Sequence, residues 1–249
     1  MNIGNLAVQS WCFRNFKENE KVAELVAECG LSKIELSGVH ADFTDDKVFD
    51  KVIGIYRKAG IGIVSIGVQP FANNPQNEEK YFEFVRRAGA KAMSVDFNLD
   101  TVPACYSTAE KLADKYDINL GIHNHGGWHW LGSSAMLRHV FANTSNRIGL
   151  FLDTAWALAS GEDPIAWAEA FKHRLHGLHI KDFVFNRAGK PQDVVVGTGN
   201  LDLAKLLSLL KQSRYEGPVV LEYEGDVENP VPALKQCVAV MQENFKAIQ

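Results

Sequence analysis

Ile118-Asn-Leu-Gly-Ile-His-Asn-His125 has the length and alternation of a β-strand with two unlike faces. Successive residues of a strand point to opposite sides, so Leu120 and Ile122 share one face while Gly121, His123 and His125 share the other. In a closed β/α barrel one parity meets the surrounding helices and the other meets the axis, and polar inward groups collect at the C-terminal mouth. This stretch reads as such a strand, with its histidines at the mouth.

Other strand-like segments repeat the pattern. In Leu175–Phe183, Leu178 and Ile180 face outward and Gly177, His179 and Lys181 inward. In Pro218–Glu224, Val219 and Leu221 face outward, leaving Val220, Glu222 and Glu224 on the axis side. Lys91–Asn98 sets Val95 and Phe97 against Ser94, Asp96 and Asn98, and Glu35 stands inward between Ile34 and Leu36 of Lys33–Gly38. With Leu6–Phe13, Gly62–Gln69 and Ile148–Trp156 these make eight strands.

Segments of helical period alternate with them: Glu18–Cys29, Asp45–Ala59, Glu78–Ala88, Ser107–Tyr116, Ser133–Phe141, Pro164–Phe171, Asp202–Lys211 and Pro232–Ala247. The seventh carries Leu203, Leu206, Leu207 and Leu210 on one stripe, with Asn200 as its expected cap. Strand-helix alternation implies a parallel sheet with crossover helices. A count of eight, no G-x-G-x-x-G turn after the first strand, and a length of 249 residues favour a (β/α)8 TIM barrel over an open doubly wound sheet. One domain over residues 1–249 is expected, since no linker or low-complexity run interrupts the series.

The chain is 46% hydrophobic and 22% charged, enough apolar material for a sizeable core. A net charge of -4, with Lys and Arg scattered, offers no general attraction to nucleic acid or to an anionic membrane. No apolar run approaches the roughly 20 residues of a membrane span, and the first strand follows no leader-like segment. Cys12, Cys29, Cys105 and Cys237 are isolated, so buried thiols in a cytoplasmic protein are expected rather than a zinc ribbon or disulfide framework.

His123, Asp153, His179 and Glu222 stand 30, 26 and 43 residues apart, near the ends of four successive strands. In a closed barrel these ends converge. Two imidazoles and two carboxylates suit Mn²⁺, Zn²⁺, Co²⁺ or Fe²⁺, and suit Mg²⁺ less because of the histidines. The alternative is a rim of ordinary polar residues bonded to one another or to water.

Together the motifs Gly121-Ile-His-Asn-His-Gly126, Phe151-Leu-Asp-Thr154, Leu178-His-Ile-Lys-Asp182, Gly197-Thr-Gly-Asn-Leu-Asp202 and Pro218-Val-Val-Leu-Glu-Tyr-Glu224 resemble the xylose-isomerase-like barrels, through essentially the whole chain. That superfamily includes sugar isomerases and epimerases, inosose dehydratases and AP endonucleases. In its ketose-epimerase branch the metal is held by Glu, Asp, His and Glu of strands five to eight, and the two glutamates exchange protons with substrate. The resemblance places Asp153, His179 and Glu222 on the last three positions. It departs at the first, where His123-Asn124-His125 replaces Glu-Asn-His, and at Trp156, where many relatives have a histidine. Imidazole still ligates a metal, but the two-glutamate relay does not transfer.

The resemblance implies a metal-dependent isomerase or epimerase of a small sugar, working through an enediolate. A lyase or dehydratase acting on a keto-sugar, keto-glycoside or inosose is the rival. An AP endonuclease fits less well, because Trp156 takes one zinc-histidine position and no D-x-H follows the H-x-K-D motif. A non-catalytic carbohydrate-binding barrel is the remaining class.

Glu222 is the expected base, with His125 and Lys181 as further proton-transfer or oxyanion-stabilising groups. The alternative expectation for Lys181 is a salt bridge with Asp182 or Glu35. Glu35 is expected either to bind substrate hydroxyls or to support a ligand, and Asp96 joins it on the substrate side. Trp11, Phe13, Trp128, Trp130 and Trp156 offer aromatic faces suited to a sugar, or plain packing under the loops. The Gly197-Thr-Gly199 turn, near Arg187 and Lys190, reads either as a simple turn or as a cradle for a phosphate.

Overall fold

The computed structural model describes residues 6–126 and 128–248. The barrel strands are β1 (Leu6–Gln9), β2 (Lys33–Leu36), β3 (Gly62–Ile66), β4 (Gln69–Phe71), β5 (Ala92–Phe97), β6 (Asn119–His123), β7 (Ile148–Asp153), β8 (Leu175–Ile180) and β11 (Val219–Leu221). Between β8 and β11 lies a separate antiparallel hairpin of β9 (Asp182–Phe185) and β10 (Pro191–Val194). The longer helices between strands are α1 (Asn19–Glu28), α2 (Phe49–Lys58), α3 (Pro75–Ala88), α4 (Ala104–Tyr116) and α5 (Ser134–Ala142). They continue with α6 (Thr154–Ala159), α7 (Pro164–Ala170), α8 (Leu203–Gln212) and α9 (Val231–Ala247). Among the described residues no helix is long and apolar enough to cross a membrane.

The nine barrel strands are parallel, in the order β3-β2-β1-β11-β8-β7-β6-β5-β4. The two ends of this order, β3 and β4, are halves of one stretch. β3 pairs with β2 and β4 with β5, so the ring closes as the expected (β/α)8 barrel with its third strand broken at Gly67-Val68. The expected continuous strand Gly62–Gln69 is corrected here. At Gly67 an added Cβ would lie 1.6 Å from Ser94 Oγ and 3.0 Å from Glu35 Oε1. The bare glycine lets the chain pass beneath these two buried groups while it changes neighbours.

Other boundaries shift for local reasons. The first strand stops at Gln9 and turns into a 3-10 segment, Ser10–Phe13. The sixth stops at Asp153, because Asp153 Oδ1 accepts from Trp156 N at 2.8 Å and so caps α6. Trp156 therefore sits on a helix and not on the strand expected to reach it. α8 is capped by Asp202, which accepts from Lys205 N at 3.1 Å, and not by Asn200.

Most of the core lies between sheet and helices. Leu120, Ile122, Leu178, Ile180, Val219 and Leu221, the residues of outward parity, all belong to it. Inside the barrel a small plug of Ala7, Phe151 and Val220 fills the axis below the mouth. Phe151 fits there because its neighbours carry no side chain: a Cβ on Gly177 would lie 2.2 Å from the Phe151 ring, and one on Gly121 would lie 2.8 Å from its Cβ. The ring in turn supports His179, with centroids 4.7 Å apart. Replacing Gly177 by Ala should overpack this layer, lowering stability by about 1–3 kcal/mol and the melting temperature by several degrees. An unchanged thermal melt would show that the plug is loosely packed.

Candidate active site

Three strand ends are stitched together by side chains that continue the ladder. Asn124 donates from Nδ2 to the Asp153 carbonyl at 3.0 Å and accepts from Asp153 N at 2.8 Å. Thr154 Oγ1 donates to the Lys181 carbonyl at 2.6 Å and accepts from Lys181 N at 3.0 Å. Asn124, Asp153, Thr154 and Lys181 are all buried, so these bonds form away from competing water. They fix the backbone that carries His123, Asp153 and His179.

At this point one ligand atom from each of His123, Asp153 and His179 lies within 4.8 Å of the others. His179 Nδ1 is 2.9 Å from His123 Nδ1 and 3.3 Å from Glu222 Oε2. Asp153 Oδ2 and Glu222 Oε2 are buried without a hydrogen-bond partner, an expensive condition unless a further group satisfies them. The other side of His179 is occupied: Nε2 lies 3.0 Å from Glu35 Oε1. With Nε2 donating to a carboxylate, Nδ1 is the nitrogen left to ligate a metal in exchange for its proton, the arrangement by which histidine ligands are oriented.

Glu35 is fully buried and also accepts from Gln9 Nε2 at 2.6 Å and Ser94 Oγ at 3.0 Å. Of its two expected roles, direct contact with substrate is not what the geometry offers; it holds His179 and belongs to the supporting layer. Burial would lower the His179 pKa, but Glu35 and Glu222 outweigh it and raise the imidazole to about 9 in the metal-free chain. Burial holds His123 well below its usual value and raises the Asp153 carboxyl to about 7, against the opposing pull of Lys181.

Lys181 is buried and its ammonium faces carboxylates on several sides. It bonds Glu224 Oε1 and lies 3.7 Å from Asp193 Oδ2 and 3.8 Å from Glu222 Oε1. Its partners are thus Glu224, Asp193 and Glu222, in place of the expected Asp182 or Glu35. Burial alone would lower its pKa, yet these groups and Asp153 raise it well above the usual lysine value. Glu224 is further bound by Trp11 Nε1 at 2.8 Å and faces Arg14 at 3.7 Å. Asp193 arrives on the β9-β10 hairpin, which was not expected and which leaves no motif around it in the sequence.

His125 stands beside His123, ring centroids 4.4 Å apart, with Nδ1 unpartnered. Burial brings its pKa to about 4, leaving a neutral ring at ordinary pH. Asp96 pairs with His129 at 3.3 Å. A cleft of about 400 Å3 opens above the group, lined among others by Trp11, Ser37, His123, His125, Trp156, His179, Glu222 and Glu224.

Neither Asp96 nor Trp128 is among the described residues that line it, and Trp128 is fully exposed. Phe13 is in the core, and Trp130 is tied through Nε1 to the Phe97 carbonyl at 3.0 Å. The amides of Gly197, Gly199 and Leu201 are not free for a phosphate: each donates to the Asp182 carboxylate at 2.9 Å. A second depression of about 400 Å3 lies at the opposite end of the barrel, with Lys33, Lys91 and Glu216 on its walls, away from the carboxylate-histidine group.

Fold and mouth together define a (β/α)8 barrel with a ligand-rich C-terminal site. The chain belongs to the xylose isomerase-like TIM barrel family, whose model matches residues 23–244. It is similar to an inosose dehydratase of Clostridium beijerinckii, 23% identical over 82% of this chain and 84% of that protein. It is also 23% identical to an inosose dehydratase of Clostridium botulinum over 49% of this chain, and the match spans only 46% of that relative. A sugar phosphate isomerase/epimerase from Parabacteroides distasonis shares the fold, with a TM-score of 0.75 at 17% identity over 95% of this chain and 93% of its own.

Proposed function

We propose that this protein is a divalent-metal-dependent isomerase or epimerase that enolises a small, unphosphorylated keto-sugar. The observation that carries the reading is the convergence of His123, Asp153 and His179 beside Glu222, with two buried carboxylate oxygens unpartnered. This donor set fits a mixed nitrogen and oxygen site for Mn²⁺, Zn²⁺, Co²⁺ or Fe²⁺ better than one for Mg²⁺. When bound there, such an ion supplies Lewis acidity toward a carbonyl and neighbouring hydroxyl, making the α-proton easier to remove.

Glu222 is the residue placed to take that proton. Its Oε2 has no hydrogen-bond partner, and it lines the cleft. Lys181 keeps its proton and so is not a base; its fixed charge lies against Glu222 and Glu224, which line the cleft, and through them favours negative charge developing on the substrate. Trp11 and Trp156 give the cleft aromatic walls for the C–H faces of a sugar. An unphosphorylated substrate follows from the amides already taken by Asp182 and from the cluster of Asp153, Asp193, Glu222 and Glu224 around Lys181.

A second reading, elimination by a lyase or dehydratase, draws on the imidazole at position 123. Epimerisation by two carboxylates needs a carboxylate on each face of the carbon, and here an imidazole held neutral by burial stands at position 123. The similarity to proteins named inosose dehydratase points the same way. Turnover of ketoses and inososes in deuterated water separates the two. Deuterium in a product of unchanged formula supports isomerisation or epimerisation, whereas loss of water or of an aglycone overturns it in favour of elimination.

The support of His179 by Glu35 has its own consequence. Glu35→Gln retains an acceptor but removes the charge, and should weaken Mn²⁺ binding by about 10–100-fold in calorimetric titration. Unchanged affinity would contradict the role given to Glu35.

A further inference from the structure

Ser10, Ser37 and His40 are buried side by side at the rim between β1 and β2. Ser10 Oγ lies 2.9 Å from Ser37 Oγ and 3.0 Å from His40 Nδ1, and it accepts from Ser37 N at 2.8 Å. His40 Nε2 lies 2.9 Å from the Phe16 carbonyl. Of the three side chains, only Ser37 lines the cleft above the proposed metal group.

The proton directions in this chain follow from its far end. A carbonyl can only accept, so His40 Nε2 carries a proton. Burial lowers the His40 pKa, so the ring is neutral and Nδ1 is an acceptor. Ser10 must then donate its single hydroxyl proton to His40 Nδ1. Its oxygen is left to accept, and it takes both the Ser37 amide and the Ser37 hydroxyl. Ser37 has thereby spent its only proton inward and has only lone pairs left for a ligand in the cleft.

We propose that Ser37 is a specificity residue that accepts a hydrogen bond from a hydroxyl of the bound sugar and cannot donate one, its polarity being set by Ser10, His40 and the Phe16 carbonyl. This rests on the reading of the cleft as a keto-sugar site. A hydroxyl at the matching carbon satisfies Ser37, whereas a group that can only accept leaves two acceptors face to face. Sites built to pair a substrate hydroxyl discriminate strongly against analogues that lack it, because their own buried group is then left unpaired.

The test is calorimetric binding of D-fructose, D-psicose, D-tagatose and D-sorbose to the Mn²⁺-loaded protein, followed by the monodeoxy and monodeoxyfluoro derivatives of the tightest binder. Fluorine accepts but does not donate, so it reports the direction of the bond. At one carbon both derivatives should bind about tenfold more weakly than the parent or worse. Ser37→Ala should bind the parent about tenfold more weakly, with no further loss on deoxygenation at that carbon. Ser10→Ala, which frees the Ser37 proton to turn outward, should recover binding of the deoxyfluoro sugar.

Two results would overturn the inference alone: a deoxyfluoro sugar that binds like the parent at every carbon, or no carbon at which deoxygenation and Ser37→Ala are coupled. Failure of all four ketohexoses to bind the wild type would instead count against the keto-sugar reading itself, and the inference would fall with it.

Discussion

Asp153→Ala is expected to abolish measurable Mn²⁺ binding and all activity, while leaving the barrel folded. Asp153 is the carboxylate member of the converging group, and its Oδ2 is buried and unpartnered. Its other oxygen caps α6, so the substitution also removes a cap worth about 1 kcal/mol. Asp153→Asn separates the two contributions: an amide oxygen can still cap the helix, but the side chain no longer carries the charge. Both variants should lose binding by more than the 10–100-fold typical of supporting groups, and only the alanine variant should lose cap stability. Circular dichroism melts with calorimetry on the two proteins check this. Retained affinity in either would remove Asp153 from the ligand set. Cys237→Ala, on α9 and outside the proposed ligand group, serves as the control that keeps both binding and activity.

Lys181→Met should be the most damaging single change to stability near the site. Its ammonium is buried and faces Glu224, Asp193 and Glu222; removing it takes away the cation these three carboxylates share, leaving among the described residues only Arg14 for Glu224, only His179 for Glu222 and neither of these for Asp193. Breaking a buried pair on one side typically costs 3–5 kcal/mol, and the partial exposure of Glu224 puts the expectation at about 3 kcal/mol. For a chain of this length that corresponds to a melting temperature lower by about 6–12 °C. Turnover should fall by about 10²–10³ as well, if the fixed charge stabilises the developing anion. A variant that melts like the wild type but is inactive would make Lys181 a purely chemical residue; one that melts early but turns over normally would make it purely structural.

The period-two alternation of four strands made the mouth of the barrel legible without any structure. His123, Asp153, His179 and Glu222 share the inward parity, and the fold carries the first three into one cluster with Glu222 beside it. What alternation does not encode is where a strand yields to something else. Thr154 continues the alternation past Asp153, yet the Asp153 cap starts a helix there, and the chain at Gly67-Val68 changes partners with no break in its apolar pattern.

Roles that depend on what a side chain meets across the barrel were equally hidden. Glu35 has the same inward parity as Glu222, but it is fully buried and its Oε1 is taken by Gln9, Ser94 and His179. Asp193 lies on a hairpin whose Asn186–Gly189 turn reads locally as a loop. The Gly197-Thr-Gly199 turn suits a phosphate until Asp182 is seen within its amides. Asn124 was legible only as part of a motif; its positioning of Asp153 is a tertiary fact.

Anomalous diffraction from crystals of the protein soaked in Mn²⁺ tests the central claim most directly. The account predicts a single strong peak at the barrel mouth, within ligand distance of His123, Asp153, His179 and Glu222, and its loss in Asp153→Ala. No peak at that position, or a peak that leaves Asp153 and His179 outside its ligand sphere, would contradict it.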